Sequence, residues 1–293
     1  MTRKKKEQSI LGRAMLANVS IGVWSARKHD RDVTERVNTE MASSRNAGRY
    51  HKRLFADAAP SHSKLVTAAH VARNMHYHPT LPWEDSGWRL LPTDNYFEYT
   101  ESMRNVKDVF EDALESFLSE YSTLVRAAEE TLGKMYRKDD YPSLAEVKRK
   151  FHFELQFGPV PAAGDFRVSL PQEELREMQK SVELRITSAV TAAVSDMWSR
   201  LGDAVTELRV KLDDGKYLRA TMIEKVSEVA SVLGRLNLSN DPALEKARRQ
   251  VVKDLAGLDV ENLRNDDKVR SVAAQKADAI LKSMNGVYTA TKK

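Results

Sequence analysis

The chain contains no cysteine in its 293 residues. That absence excludes thiol nucleophiles, thiolate zinc sites and disulfides, and it fits a reducing cytoplasm. Aromatic residues are scarce at 7%, and there are only 12 glycines and 9 prolines. A turn-rich sandwich or barrel is disfavoured by such a composition, whereas 30% charged residues suit a helix-rich protein. No apolar run approaches the ~18–20 residues that span a bilayer, so no membrane contact is expected. The opening MTRKKKEQS is basic, but the LGRAMLANVS behind it is too broken by polar residues for a signal peptide. A cytoplasmic protein is expected.

Nucleotide and nucleophile signatures are missing too. There is no G-x-x-x-x-G-K-[ST], no G-x-G-x-x-G and no G-x-S-x-G. Carboxylates are plentiful, but nothing in the pattern isolates two of them as acid and base. The expectation is a non-enzymatic protein without a cofactor.

What is present is uneven charge. The net charge is +5, yet residues 1–53 hold 13 Lys/Arg against 5 Asp/Glu, while the remainder holds 34 against 37. Concentrated positive charge is the footprint of a phosphate-backbone contact or of docking to an acidic partner. Arg27, Lys28, Arg31, Arg45, Arg49, Lys52 and Arg53 would cluster if segments 26–41 and 42–55 pack side by side. They are the candidate nucleic-acid-binding residues, suited to gripping phosphates without reading sequence.

Periodicity gives the architecture. LANVSIGVWS (16–25) alternates as a strand, and 26–41 turns helical. Residues 61–78 read as a helix that stops before Pro79. Residues 79–95, with three prolines and a glycine, read as a long irregular loop. From Met103 to Met135 nine apolar steps cover 32 residues, the signature of a long helix over about 95–137. FHFELQF (151–157) and FRVSL (166–170) alternate around a Gly/Pro-rich turn and predict a β-hairpin. From Leu175 to Leu212 ten apolar steps cover 37 residues, so a straight helix over 171–213 follows, for a helical bundle rather than a leucine zipper. Further helices run through Leu236, open in SNDPALEK (239–246) with Asn240 or Asp241 as cap and Pro242 just inside, and open at Asn265-Asp266-Asp267 to close at Asn285-Gly286.

The expected fold is therefore α+β and mostly α. A long helical bundle carries a small antiparallel three-stranded sheet, with strands near 17–24, 151–157 and 166–170, and the helices flanking the hairpin run antiparallel. By composition the chain divides into a basic tail (1–15), a basic strand and helix region with a Trp-rich loop (16–95), a helix–hairpin–helix section (96–215) and C-terminal helices (216–293). Apolar seams of this length point to a homo-oligomer.

One stretch raises a separate question. HVARNMHYHPTLPWEDSGWRLLP (70–92) holds three of seven histidines and two of four tryptophans. His70, His76 and His78, with Glu84 or Asp85, are a possible metal set. Scattered histidines that cap a helix and line a polar loop are the plainer reading. Trp83 and Trp88 could stack bases; as loop anchors they need no ligand, and that reading is preferred.

Three stretches together, ANVSIGVWSARKHDRDVTERV (17–37), TLPWEDSGWRLLPTDNYFEY (80–99) and FELQFGPVPAAGDFRV (153–168), carry a resemblance. They are similar to an uncharacterised phage and prophage family, a domain of unknown function. Its members are often encoded near a MoxR-type AAA+ ATPase and a von Willebrand A-type protein. The resemblance covers most of the chain to about residue 215 and implies a phage origin. It assigns no residue a role. Three functions stand open: an oligomeric nucleic-acid binder, an adaptor or partner of an AAA+ ATPase, and a metal-dependent enzyme built on the histidines.

Overall fold

The computed structural model describes residues 12–55, 59–83, 87–162, 171–214 and 218–291. It is mostly helical with a small amount of antiparallel sheet, as its periodicities predict. The elements are β1 (Ala14–Gly22), β2 (Arg27–His29), α1 (Arg31–Glu40), β3 (His51–Arg53), α2 (Pro60–Tyr77), β4 (Leu81–Pro82), β5 (Arg89–Pro92), α3 (Tyr96–Leu132), α4 (Leu144–Lys148), β6 (His152–Gly158), α5 (Gln172–Asp214), α6 (Ala220–Leu236), α7 (Pro242–Asp254), α8 (Val260–Asn265) and α9 (Asp267–Thr291). Strands form a four-stranded sheet in the order β4-β5-β1-β6 and a separate two-stranded ribbon, β2-β3. This corrects the three-stranded expectation. β1 does lie beside β6, but 166–170 fall outside the described residues, and two strands come from 79–95, read from sequence as an irregular loop.

Two compact units are built from interleaved pieces of chain: 1–18, 77–99 and 156–293 form one, and 19–76 with 100–155 form the other.

The first unit is organised by α5. Its 43 residues span ~64 Å at ~1.5 Å per residue. The seam is buried from Val182 through Ile186, Met197, Leu201, Val205 and Leu208 to Leu212. It packs mainly along α9, with α6 and α7 completing the cover. The C-terminal helices, nearby in sequence, supply the matching apolar length that covers the seam. Asp241 caps α7 by accepting from the Ala243 and Leu244 amides at 2.9 and 3.3 Å, with Pro242 as the first helical residue. α9 does not stop at Asn285-Gly286 but continues to Thr291. A single glycine costs only ~1 kcal/mol in a helix and does not by itself end one.

In this unit the Trp-rich segment is an anchor. Leu81 pairs with Leu90, and β5 pairs with β1 from Ala14↔Pro92 to Ala17↔Arg89. Trp83 is only 6% exposed and lies in the same core as Leu81, Leu90 and the α5 seam, against which Trp88 also packs. Arg200 of α5 donates to the carbonyls of His78 (2.7 Å), Thr80 (3.0 Å) and Tyr77 (3.1 Å). Backbone acceptors left open by the end of α2 are satisfied in this way.

The second unit is centred on α3. Met103, Val106, Phe110, Phe117, Tyr121, Leu124 and Ala128 form its buried stripe, as their spacing predicts. Phe55, Phe117, Tyr121 and Trp24 pack edge to face or tilted around its middle, with centroids 5.8–6.4 Å apart. Below them Phe151 and Phe153 of the β6 end reach Phe117 and Phe110. The predicted helix 26–41 is only partly so: β2 comes first, and Asp30 then caps α1 through the Val33 amide at 3.1 Å. Behind α1, exposed Ala42 sits at φ +48°. That left-handed conformation favours glycine after a helix end. Ala42→Gly is expected to raise stability by about 0.5–1 kcal/mol, read as a higher midpoint in thermal unfolding. An unchanged or lower midpoint counts against the strain.

Candidate nucleic-acid interface

The basic region is built around two three-residue strands with mirror-image sequences, Arg27-Lys28-His29 and His51-Lys52-Arg53. Antiparallel pairing sets Arg27 opposite Arg53, Lys28 opposite Lys52 and His29 opposite His51. Hydrogen bonds from Leu54 N to Ala26 O (2.8 Å) and Asp30 N to Tyr50 O (3.0 Å) close the ribbon at its two ends. Period-2 alternation puts Arg27, Arg53, His29 and His51 on one face, all exposed, with the two imidazoles 5.4 Å apart. Like charges directly opposite each other destabilise a strand pair. The ribbon holds two such pairs in succession, Arg27–Arg53 and Lys28–Lys52.

On the other face the conflict is resolved internally. Lys52 is 2% exposed, and its ammonium lies 3.2 Å from Asp30 and 2.8 Å from Asp140 while donating to the Met135 carbonyl. Two carboxylates and a carbonyl therefore surround the ammonium. Lys52 was expected among the phosphate-binding residues, and the structure corrects this: it is a buried ion-pair centre, shut off from an external polyanion. Burial alone would raise the Asp30 pKa. The Val33 amide, the Lys52 hydrogen bond and charge, and the charge of Arg137 outweigh it and hold the carboxyl below its ordinary range.

The other predicted cations are where an external polyanion can reach them. Arg27 and Lys28 on β2, Arg31 on α1, Arg45 and Arg49 in the connection to β3, and Arg53 are all exposed. That connection is tied down by Asn38, whose side-chain amide donates to the carbonyls of Arg45 (3.1 Å) and Gly48 (3.2 Å). Arg36, not singled out by the sequence, is exposed as well. Residues 26–55 therefore present seven exposed cations against three exposed carboxylates, Asp32, Glu35 and Glu40. Asp32 is engaged by Arg137.

The chain matches no family model, no curated protein and no solved structure. Its chemistry must be read from its own side chains.

The histidines do not converge. His70 is exposed on α2, His76 is buried on the same helix, and His78 lies 3.2 Å from Glu228. Among the described residues no three His, Asp or Glu side chains are grouped to hold a metal ion. Glu84 and Asp85 lie outside the described residues. Trp83, buried in the core of the other unit, has no face to offer a base, and Trp88 is half-buried against that core. No helix among the described residues is long and apolar enough to cross a membrane.

The sequence reading missed a cleft beside the ribbon. It has a volume of about 320 Å³ and lies between the Arg27–Arg53 end and the first two turns of α2. Ser25, Ser63 and Thr67 contribute hydroxyls, and Phe55 with Val66 an apolar wall. His62 reaches the Trp24 carbonyl through Nε2 at 2.6 Å. A carbonyl only accepts, so that nitrogen carries the proton. Mirror-image triplets were the one available signal for the ribbon, and nothing local marks the cleft.

Proposed function

We propose that the protein binds nucleic acid through the phosphate backbone, without sequence preference, using the β2–β3 ribbon and the cations beside it. The observation that carries this reading is the stacked like-charge pairing of the ribbon, whose arginine face is turned to solvent. A fold tolerates such an array at a cost in stability, and a polyanion laid across it offsets that cost. Two-stranded ribbons also have the dimensions to enter a major groove. Seven exposed cations supply the charge, and the tethered 41–50 connection carries two of them.

Oligomerisation belongs to the same proposal. Leu184 and Val210 of α5 stay 57% and 60% exposed. A phage origin, drawn from the resemblance of 17–37, 80–99 and 153–168, is likewise proposed.

Fluorescence anisotropy with labelled single- and double-stranded DNA across a salt series tests the reading. Four to six phosphate contacts would give a duplex slope of log K against log salt of about −3.6 to −5.4. Arg27→Ala, Lys28→Ala and Arg53→Ala combined should flatten that slope by ~2–3. No binding by folded protein at ~50 mM salt, where such contacts are strongest, sinks the proposal. Stimulation of a partner AAA+ ATPase by a protein that ignores DNA would favour the adaptor reading instead.

A further inference from the structure

The cleft beside the ribbon has a shape and lining that backbone contact does not use. We propose that it is a separate binding site for a phosphomonoester carried on a nucleotide-sized body, either a free mononucleotide or the phosphorylated end of a strand. This goes beyond the backbone reading and shares only Arg27 and Arg53 with it.

Size argues first. About 320 Å³ lies at the lower end of small-molecule pockets, ~300–1,000 Å³, and leaves a bare phosphate mostly surrounded by space. The lining is divided in the way such a ligand is divided. Arg27 and Arg53, set opposite each other by the ribbon register, supply guanidinium groups suited to paired contacts with phosphate oxygens. Ser25 and Ser63 add hydroxyl donors, whereas the Thr67 hydroxyl already donates to the Ser63 carbonyl at 3.0 Å and can only accept. Phe55 and Val66 form an apolar wall for the body of the ligand. The phosphate end is fixed by the ribbon, whose Leu54–Ala26 hydrogen bond holds the two arginine-bearing strands together. No carboxylate lines the cleft among the described residues. A monoester carries more charge than a backbone diester, so paired arginines discriminate between the two.

Titration calorimetry of the whole protein with thymidine 5′-monophosphate and with thymidine gives the first arm. The second compares a 5′-phosphorylated oligothymidine with its 5′-hydroxyl counterpart. A preference of about tenfold or more for the phosphorylated partner is expected, the size of one charge-assisted hydrogen bond or more. In the first arm it identifies a free nucleotide, and in the second alone a strand end. Ser63→Leu removes a donor and fills the cleft from an exposed helix position, so it should fold and erase the preference. Arg27→Ala should do the same. Equal binding of phosphorylated and unphosphorylated partners in both arms overturns the proposal, as does a preference that survives Ser63→Leu unchanged. A covalently closed single-stranded circle carries no monoester. Its binding reads the backbone contact alone, so failure of that reading is separable from failure of this one.

Discussion

Replacing Lys52 with methionine is expected to destabilise the second unit by about 3–5 kcal/mol, the usual result of removing one partner from a buried ion pair. Lys52 neutralises two carboxylates at once, Asp30 and Asp140, which are 5% and 11% exposed. Methionine has similar bulk and no charge, so the loss is electrostatic rather than a packing void. Urea denaturation would show it as a lower midpoint. A further variant, Lys52→Met with Asp30→Asn and Asp140→Asn, should recover most of the loss because no charge is left unpaired. Asparagine at position 30 also keeps the helix cap. If the single variant is as stable as the parent, the buried triad carries no net stability. The sign with pH follows from Asp30, whose folded pKa lies below its unfolded value. Its contribution is complete above the unfolded pKa of ~3.9 and is lost as pH falls through the lower folded value. The gap between parent and Lys52→Met should therefore narrow below about pH 4.

Trp198→Ala should cost a comparable ~3–5 kcal/mol in the first unit. Trp198 is 2% exposed and the largest of the fully buried side chains, packed in the core that α5 shares with the C-terminal helices. Truncation removes the indole and leaves a void that the neighbouring Met197 and Leu201 cannot close without moving rigid helices. The long 3.4 Å contact of its ring N–H with Asp241 adds little. Trp198→Phe should lose much less, since an aromatic ring still fills most of the space. Partners of Lys52 and of Trp198 have no residue in common, so the double variant should add within ~0.3–0.5 kcal/mol. Marked non-additivity would mean the two cores communicate.

The long helices were legible because α3 and α5 repeat apolar residues over nine and more turns, and no other period fits. β6 was legible for the same reason at period 2. β5 was not: Arg89-Leu90-Leu91-Pro92 is four residues between a glycine and a turn, too short to show alternation. The ribbon strands are shorter still, and three residues define no period. Lys52 illustrates the deeper limit. In sequence it is one more lysine between His51 and Arg53, and only Asp30 and Asp140, brought in by the chain path, make it a core residue. Six of the seven predicted phosphate-binding residues are exposed because their charge forbids burial without a partner, which is what charge density predicts. The cleft depends on α2 meeting the ribbon end and has no counterpart in local pattern.

The mirror-image strands have one more consequence. Antiparallel pairing puts both arginines at one end of the outer face and both histidines at the other, so a half-turn about the axis normal to the ribbon brings Arg27 onto His51 and Arg53 onto His29. A strand laid along the ribbon therefore meets arginines first in one heading and histidines first in the other. The grip has a heading built into it, and a protein that turned round on a polymer would meet it with a different order of contacts.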